Sequence, residues 1–339
     1  MALSVKDKIG QMLVYGWTAD TSGSAKTLND HARRLIDEFH VGGLILMERN
    51  IGDPEEVRSL TAAAQLLAKS NGIPGLLIAT DQEGGRVSRF QPPCYPAFPS
   101  AAEIGATKDV KTSFDNAEAI GLVLSLVGVN WALMPVLDVN NNPGNTVIGD
   151  RSFGPEPHLV AELGAASVLG MQNAGVMACG KHFPGHGDTD VDSHIDLPVI
   201  DHPSARLDTV ELPPFRAAIE AGVGSIMTSH ILFRELDSDL PATLSPTIIS
   251  GLLRKELGYD GLVISDCLEM KGVAKKWGTA EAAVLSAIAG ADMLLVCHTE
   301  KTQEEVHIAL LRAHETGRLT EQRIDEANNK IRRAKEAWL

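Results

Sequence analysis

Eight short runs rich in β-branched residues recur along this chain, each ending in polar or glycine-containing residues and followed by a longer amphipathic stretch. They are Gln11–Trp17, Gly42–Met47, Gly75–Thr80, Val129–Val139, Val176–His182, Ser225–His230, Leu262–Ser265 and Met293–Cys297. Runs this apolar suit strands buried on both faces, and strands alternating with helices build parallel sheets. Helix signals fall between them: Pro54–Ser70 has Asp53 as N-cap, Pro54 at the first helical position and Glu56 in the first turn, and Pro246–Leu257 starts after Ser245 and stops at Gly258. The segment from about Thr320 to Leu339 reads as an outer closing helix, amphipathic and charged on one face.

Eight βα units without a Pro/Gly/Ser-rich linker predict an α/β protein, a single (β/α)8 TIM-type barrel over residues 1–339, with irregularity allowed in its early strands. An open doubly wound sheet is the alternative. It would carry a GxGxxG turn after its first strand, and the first run here leads into GWTADTSGSA.

The net charge of −14 is spread along the chain, which makes nucleic acid and anionic membranes poor partners. Gly121 to Val139 is interrupted by Asn130, Pro135 and Asp138, so it reads as a helix end running into a buried strand and not as a membrane span. Cys94, Cys179, Cys267 and Cys297 form no CxxC pair and read as reduced, mostly buried thiols. MALSVKDKIGQ lacks the apolar core of a signal peptide, so a cytoplasmic location is the expectation; a monomer is expected as well.

In a barrel, residues just past the C-terminal end of each strand converge on one face. Those positions hold Asp81, Gln82, Glu83, Arg86 and Arg89 after run three, Asp138 and then Asp150 and Arg151 after run four, Lys181 and His182 after run five, Ser229 and His230 after run six, and Ser265 and Asp266 after run seven. The stretch from Lys181 to His194, KHFPGHGDTDVDSH, packs three histidines and three aspartates into fourteen residues. Pro184, Gly185 and Gly187 forbid a helix there, so a loop over the barrel mouth is expected, mobile and ordering over a bound ligand. Asp192 and His194 are close enough for the carboxylate to orient the imidazole and favour its protonated form, which suits general acid and base work near neutral pH.

Other readings of the same residues are a metal site built from His182, His186, His194 and Asp192, a Schiff-base amine at Lys181 as in an aldolase, and a solvated loop. The metal reading lacks an HxH at an early strand end, and acids around Lys181 oppose a depressed amine pKa. Asp266 ends the apolar run Leu262–Ser265, where a helix N-cap and a catalytic carboxylate fit equally well by position. Glu269 reads as a cap partner or supporting residue.

Together these segments resemble glycoside hydrolase family 3, in particular the NagZ-like β-N-acetylhexosaminidases. The resemblance is carried by GLILMERNI (Gly43–Ile51), DQEGGRV (Asp81–Val87), IGDRSFG (Ile148–Gly154), the Lys181–His194 loop and VISD (Val263–Asp266). It implies Asp266 as nucleophile, His194 as acid/base with Asp192 as its partner, and Asp81, Arg89, Arg151, Lys181 and His182 as residues that hold sugar hydroxyls. Many relatives carry a second domain that supplies a glutamate acid, and a chain of one barrel is expected to take its acid from its own loops. The implied activity is retaining removal of terminal β-linked N-acetylglucosamine from small carbohydrates, peptidoglycan (anhydro)muropeptide fragments above all, without metal or organic cofactor. An N-acetylglucosaminide phosphorylase, a β-glucosidase of the same family and a non-catalytic sugar-binding protein are the alternatives.

Overall fold

The computed structural model describes residues 3–19, 23–189 and 196–339. Its centre is eight strands: β1 (Leu13–Tyr15), β2 (Gly43–Leu46), β3 (Leu77–Thr80), β4 (Trp131–Ala132), β5 (Met177–Phe183), β6 (Ser225–Thr228), β7 (Leu262–Ser265) and β8 (Leu294–Val296). Every residue in them is buried, which is why they read as continuous apolar runs and not as alternating ones. All pair in parallel, in the order β7-β6-β5-β4-β3-β2-β1-β8. The two ends meet where Ile264 bridges Met293 and Ser265 N–H donates to Met293 O at 3.1 Å. The sheet is therefore a closed (β/α)8 barrel, and the open-sheet alternative falls away.

The irregularity lies at β4. Only Trp131–Ala132 pairs regularly, with β3 and β5. Pro135 has no N–H to contribute to a ladder; its carbonyl accepts from Lys181 N–H at 3.1 Å, and Leu137 N–H reaches Lys181 O at 2.6 Å. β5 is the opposite case. It runs on to Phe183, so Lys181 and His182 belong to the strand and the loop starts at Pro184.

Helix boundaries follow local chemistry. The Asp53 side chain accepts from Glu55 and Glu56 N–H, and Glu56 returns a bond to Asp53 N–H at 2.9 Å, which starts the helix Pro54–Ser70. Ser245 Oγ accepts from Ile248 N–H at 3.2 Å at the start of the helix Thr247–Glu256, and Gly258, at φ +69°, ends it. The final helix, Glu321–Trp338, buries Ile324, Ala327 and Ile331. No helix among the described residues is long and apolar enough to cross a membrane. All four cysteines are free, and Cys94 alone of them is exposed.

Under β7 and β8, at the N-terminal pole, sits the fully buried carboxylate of Asp292. It accepts from Val263 N–H at 3.0 Å, from Arg323 at 2.7 Å and from Arg254, tying the closing strands to the helices Thr247–Glu256 and Glu321–Trp338. Asp292→Ala would strand two largely buried guanidinium groups, a loss of about 3–5 kcal/mol. Urea unfolding of this variant checks it, and a loss under about 1 kcal/mol, the scale of an exposed pair, would show that the network is dispensable for closure.

Candidate active site

At the C-terminal pole the strand exits surround a cavity of about 370 Å³, bordered by Asp81, Glu83, Arg89, Arg151, Lys181, His182 and Asp266 among others. A second cavity, about 530 Å³, opens at the opposite pole between Lys8, Gln11 and Lys335. Strand exits do not reach it, and barrel chemistry belongs at the first.

Asp81 and Glu83 leave β3 two residues apart, so an extended backbone projects both to the same side. The buried amide of Gln82 shapes this exit: its Oε1 accepts from Arg89 N–H at 2.8 Å and Phe90 N–H at 2.9 Å. The turn thus carries Arg89 back to Asp81, with Nη2 3.3 Å from Oδ2. From β5, Lys181 Nζ donates to Asp81 Oδ1 at 2.9 Å and reaches Glu83 Oε1 at 2.7 Å. Arg151 grips Glu83 with both arms of its fork, Nε to Oε2 at 2.8 Å and Nη2 to Oε1 at 2.9 Å. Burial alone would push the Asp81 and Glu83 carboxyls up. The Lys181 and Arg89 charges overturn that at Asp81, the Arg151 and Lys181 charges overturn it at Glu83, and both end below the ordinary carboxylate range. Burial likewise works against the Lys181 charge, but Asp81 and Glu83 prevail and raise its pKa. An ammonium so held is no Schiff-base nucleophile, which removes the aldolase reading.

His182 stands beside this group. Its Nδ1 lies 2.7 Å from Asp138 Oδ2, and the other Asp138 oxygen accepts from the backbone N–H of His182 at 3.1 Å and of His186 at 2.7 Å. On the other side of the ring, Nε2 lies 3.5 Å from Arg151 Nη2. The guanidinium already supplies positive charge there, which disfavours a metal ion on His182.

The expected mobile loop is tightly held over its first part. Asn145 Nδ2 donates to His186 O at 2.8 Å, Thr189 Oγ1 lies 2.9 Å from His186 Nδ1, and Asp188 pairs with Arg206 at 2.8 Å and with His202. Gly187 is required by close approach, since a Cβ there would sit 1.8 Å from Val139 O. Burial, with His182 nearby, pushes the His186 imidazole down to about 4, so it stays neutral near pH 7. Asp192 and His194, the expected acid/base pair, lie in the segment 190–195, outside the described residues.

Asp266 leaves β7 into the cavity. The next helix, Lys271–Trp277, has Met270 as its N-cap, so Asp266 is not that cap. Its Oδ1 accepts from Cys267 N–H at 2.7 Å. Burial would raise this carboxyl, but the His230 and His182 rings, the Cys267 N–H and the Lys181 charge together hold it below the usual range. It is an ionised, partly buried carboxylate at neutral pH bordering the cavity, as a nucleophile at an anomeric carbon has to be. Glu269 is a supporting residue, accepting from His298 N–H at 2.8 Å and Thr299 N–H at 2.9 Å.

Sequence reasoning left three residues of this site without a role. Glu83 is the shared counterion of Lys181 and Arg151, Asp138 orients His182, and His230 holds the Cys267 carbonyl with Nε2 at 3.0 Å. The signal for Glu83 was its two-residue spacing from Asp81; Asp138 and His230 showed only as polar residues at strand exits.

The model of the glycosyl hydrolase family 3 N-terminal domain matches residues 4–334. Beta-hexosaminidase A of Pseudoalteromonas piscicida is 36% identical over 340 residues, 94% of this chain and 57% of the relative. Beta-hexosaminidase of Thiobacillus denitrificans is 38% identical over 293 residues, 85% of this chain and 79% of that protein. The solved family 3 beta-N-acetylglucosaminidase from Paenibacillus sp. str. FPU-7 superposes with a TM-score of 0.95 at 45% identity, over 99% of this chain and 63% of that one. The chain thus spans less than two thirds of the first and the third of these proteins. Matched almost end to end, with the shared motifs lying at the exits of a closed barrel, the chain belongs to glycoside hydrolase family 3.

Proposed function

We propose that this chain is a retaining exo-β-N-acetylglucosaminidase whose catalytic unit is a single barrel over residues 1–339. The observation that carries the reading is the ionised, partly buried Asp266 carboxylate facing the paired charges of Asp81, Glu83, Lys181 and Arg151 across one small cavity. A sugar ring bound there would meet fixed donors in Lys181, Arg151 and Arg89, a fixed acceptor in Asp81 and the His182 ring, an arrangement that holds hydroxyl groups without needing charge on the ligand. The N-acetylglucosamine preference is supported by the names of the relatives, and the four free thiols suit a reducing compartment such as the cytoplasm. The substrate class we favour is peptidoglycan (anhydro)muropeptide fragments, cleaved by a monomeric enzyme.

In this mechanism Asp266 attacks C1 while His194, paired with Asp192, protonates the departing oxygen. His194 then takes a proton from the water that opens the glycosyl ester. The anomeric carbon is inverted twice, so configuration is retained.

Replacing Asp266 by Asn removes the attacking charge at nearly constant volume. Turnover of a chromogenic β-N-acetylglucosaminide should fall by about 10⁴-fold or more with the fold intact, and a slowly hydrolysed fluorinated glycoside should label Asp266 in the unmodified enzyme. An active Asp266→Asn variant, or a label on another residue, would end the assignment.

His194→Ala should cost far more on substrates with poor leaving groups than on aryl glycosides whose phenolate departs unaided. Equal losses on both would reduce His194 to a positioning residue. Glu83→Gln keeps the volume but removes the carboxylate charge that Lys181 and Arg151 share. We expect kcat/KM to drop by about 10–100-fold, the scale seen when a supporting partner is removed, with circular dichroism unchanged; a loss below about twofold would show that this pairing does not shape the sugar site.

A further inference from the structure

Past the adjacent ends of β7 and β8 lies a group of side chains for which sugar chemistry has no use. Cys267, Cys297 and His298 each offer a ligand atom, two thiol sulfurs and an imidazole nitrogen, all within 4.8 Å of one another. Both thiols are buried, His298 reaches solvent, and all three border the same cavity as Asp266. We propose that this cluster is an inhibitory binding site for a soft divalent metal ion of the Zn²⁺ type.

The ligand set selects that class of ion. Two thiolates and an imidazole suit Zn²⁺ and its soft congeners, while Mg²⁺ and Ca²⁺ take oxygen ligands. A tetrahedral ion with sulfur at about 2.3 Å separates its ligand atoms by roughly 3.5–4 Å, so the observed spacing needs only a small inward turn of the side chains. The backbone holds the cysteines in place, since Leu268 N–H donates to Leu295 O at 2.9 Å between the two strand exits. Glu269 stiffens the cluster by accepting from His298 and Thr299 N–H, and its Oε2 lies 3.8 Å from Cys267 Sγ. Either this carboxylate or water completes the shell.

Arg49 does not block the site. Its Nη1 lies 3.2 Å from His298 Nδ1, and a metal taking that nitrogen costs one hydrogen bond while the bonds to Trp17 O and Cys297 O, both 2.6 Å, remain. On binding, each thiol gives its proton to solvent. Two thiolates then balance the charge of the ion, so Arg49 faces no added net charge. Inhibition follows from position: Cys267 directly follows Asp266 and its N–H donates to Asp266 Oδ1, so drawing Cys267 onto a metal shifts the carboxylate and fills the cavity wall beside it.

The test uses Co²⁺ as an absorbing probe on the folded, metal-free chain. A thiolate-to-cobalt charge-transfer band in the near ultraviolet, saturating at a single equivalent and erased by Zn²⁺, is expected. It should vanish in Cys297→Ser, weaken in His298→Gln and persist in His194→Ala. In the activity arm, which rests on the glycosidase reading, Zn²⁺ should inhibit, and Cys297→Ser should raise the half-inhibitory concentration by about tenfold or more, measured against its own metal-free rate. A missing band, or one unchanged in both Cys297→Ser and His298→Gln, overturns the site. A band lost in His194→Ala moves the metal to the acid/base segment and overturns it equally. The cobalt spectrum needs no turnover, so failure of the glycosidase reading would leave this outcome separate.

Discussion

Asp81, Glu83, Lys181 and Arg151 carry four charges, Glu83 and Lys181 buried and Asp81 and Arg151 partly so, and they coexist because each meets opposite sign. Lys181 lies between two carboxylates, Glu83 lies between Lys181 and Arg151, and Arg89 balances the outer oxygen of Asp81. Each ion taken alone would cost several kcal/mol to bury. Mutual attraction in the low-dielectric barrel mouth offsets this, as the directions of the pKa shifts at both carboxylates and at Lys181 indicate. The arrangement is therefore worth little as a source of stability and much as a rigid surface of donors and acceptors. A neutral ligand rich in hydroxyl groups can use such a surface without disturbing its charge balance.

The barrel was legible because parallel strands covered on both faces leave continuous apolar runs, and each of the eight runs overlaps one of the eight strands. The position of the site was legible for a related reason: closure brings strand exits together, so polar residues at those exits need no further pattern to be grouped. What local sequence does not encode is pairing across the mouth. Glu83 meets Arg151 from 68 positions away, and Asp138 meets His182 from 44. Side chains that act as counterions to one another look, in sequence, like independent strand-end residues.

Backbone geometry bears on two positions where side-chain type alone leaves the reading open. Asp266 fits a helix N-cap by position in the sequence, but the helix that follows is capped by Met270, four residues on. The Lys181–His194 motif reads as one loop because of its glycines and proline, yet its first three residues are strand. Lys181 and His182 are aimed by the sheet itself. That distinction matters physically, because a strand residue inherits the rigidity of the barrel and needs no ordering on binding, whereas a loop residue loses conformational entropy when it engages.

The same strand serves both poles. β7 is held at its base by the Asp292 carboxylate through Val263 N–H, and three residues further on it presents Asp266. Both are aspartates, and both accept a backbone N–H, but their surroundings divide the roles. Asp292 is clasped by two guanidinium groups and a backbone N–H, so its charge is spent on closing the barrel. Asp266 is kept ionised by more diffuse neighbours, the His230 and His182 rings and the Lys181 ammonium. No guanidinium or ammonium is bonded to it among the described residues, and that leaves its charge open toward the cavity. An ion pair as tight as the one at Asp292 would ionise Asp266 just as well but would also bind the electron pair that a nucleophile must give up. Ionisation by several weaker contacts avoids that cost, and placing the strong pair at the other end of a four-residue strand supplies the rigidity that weak contacts cannot.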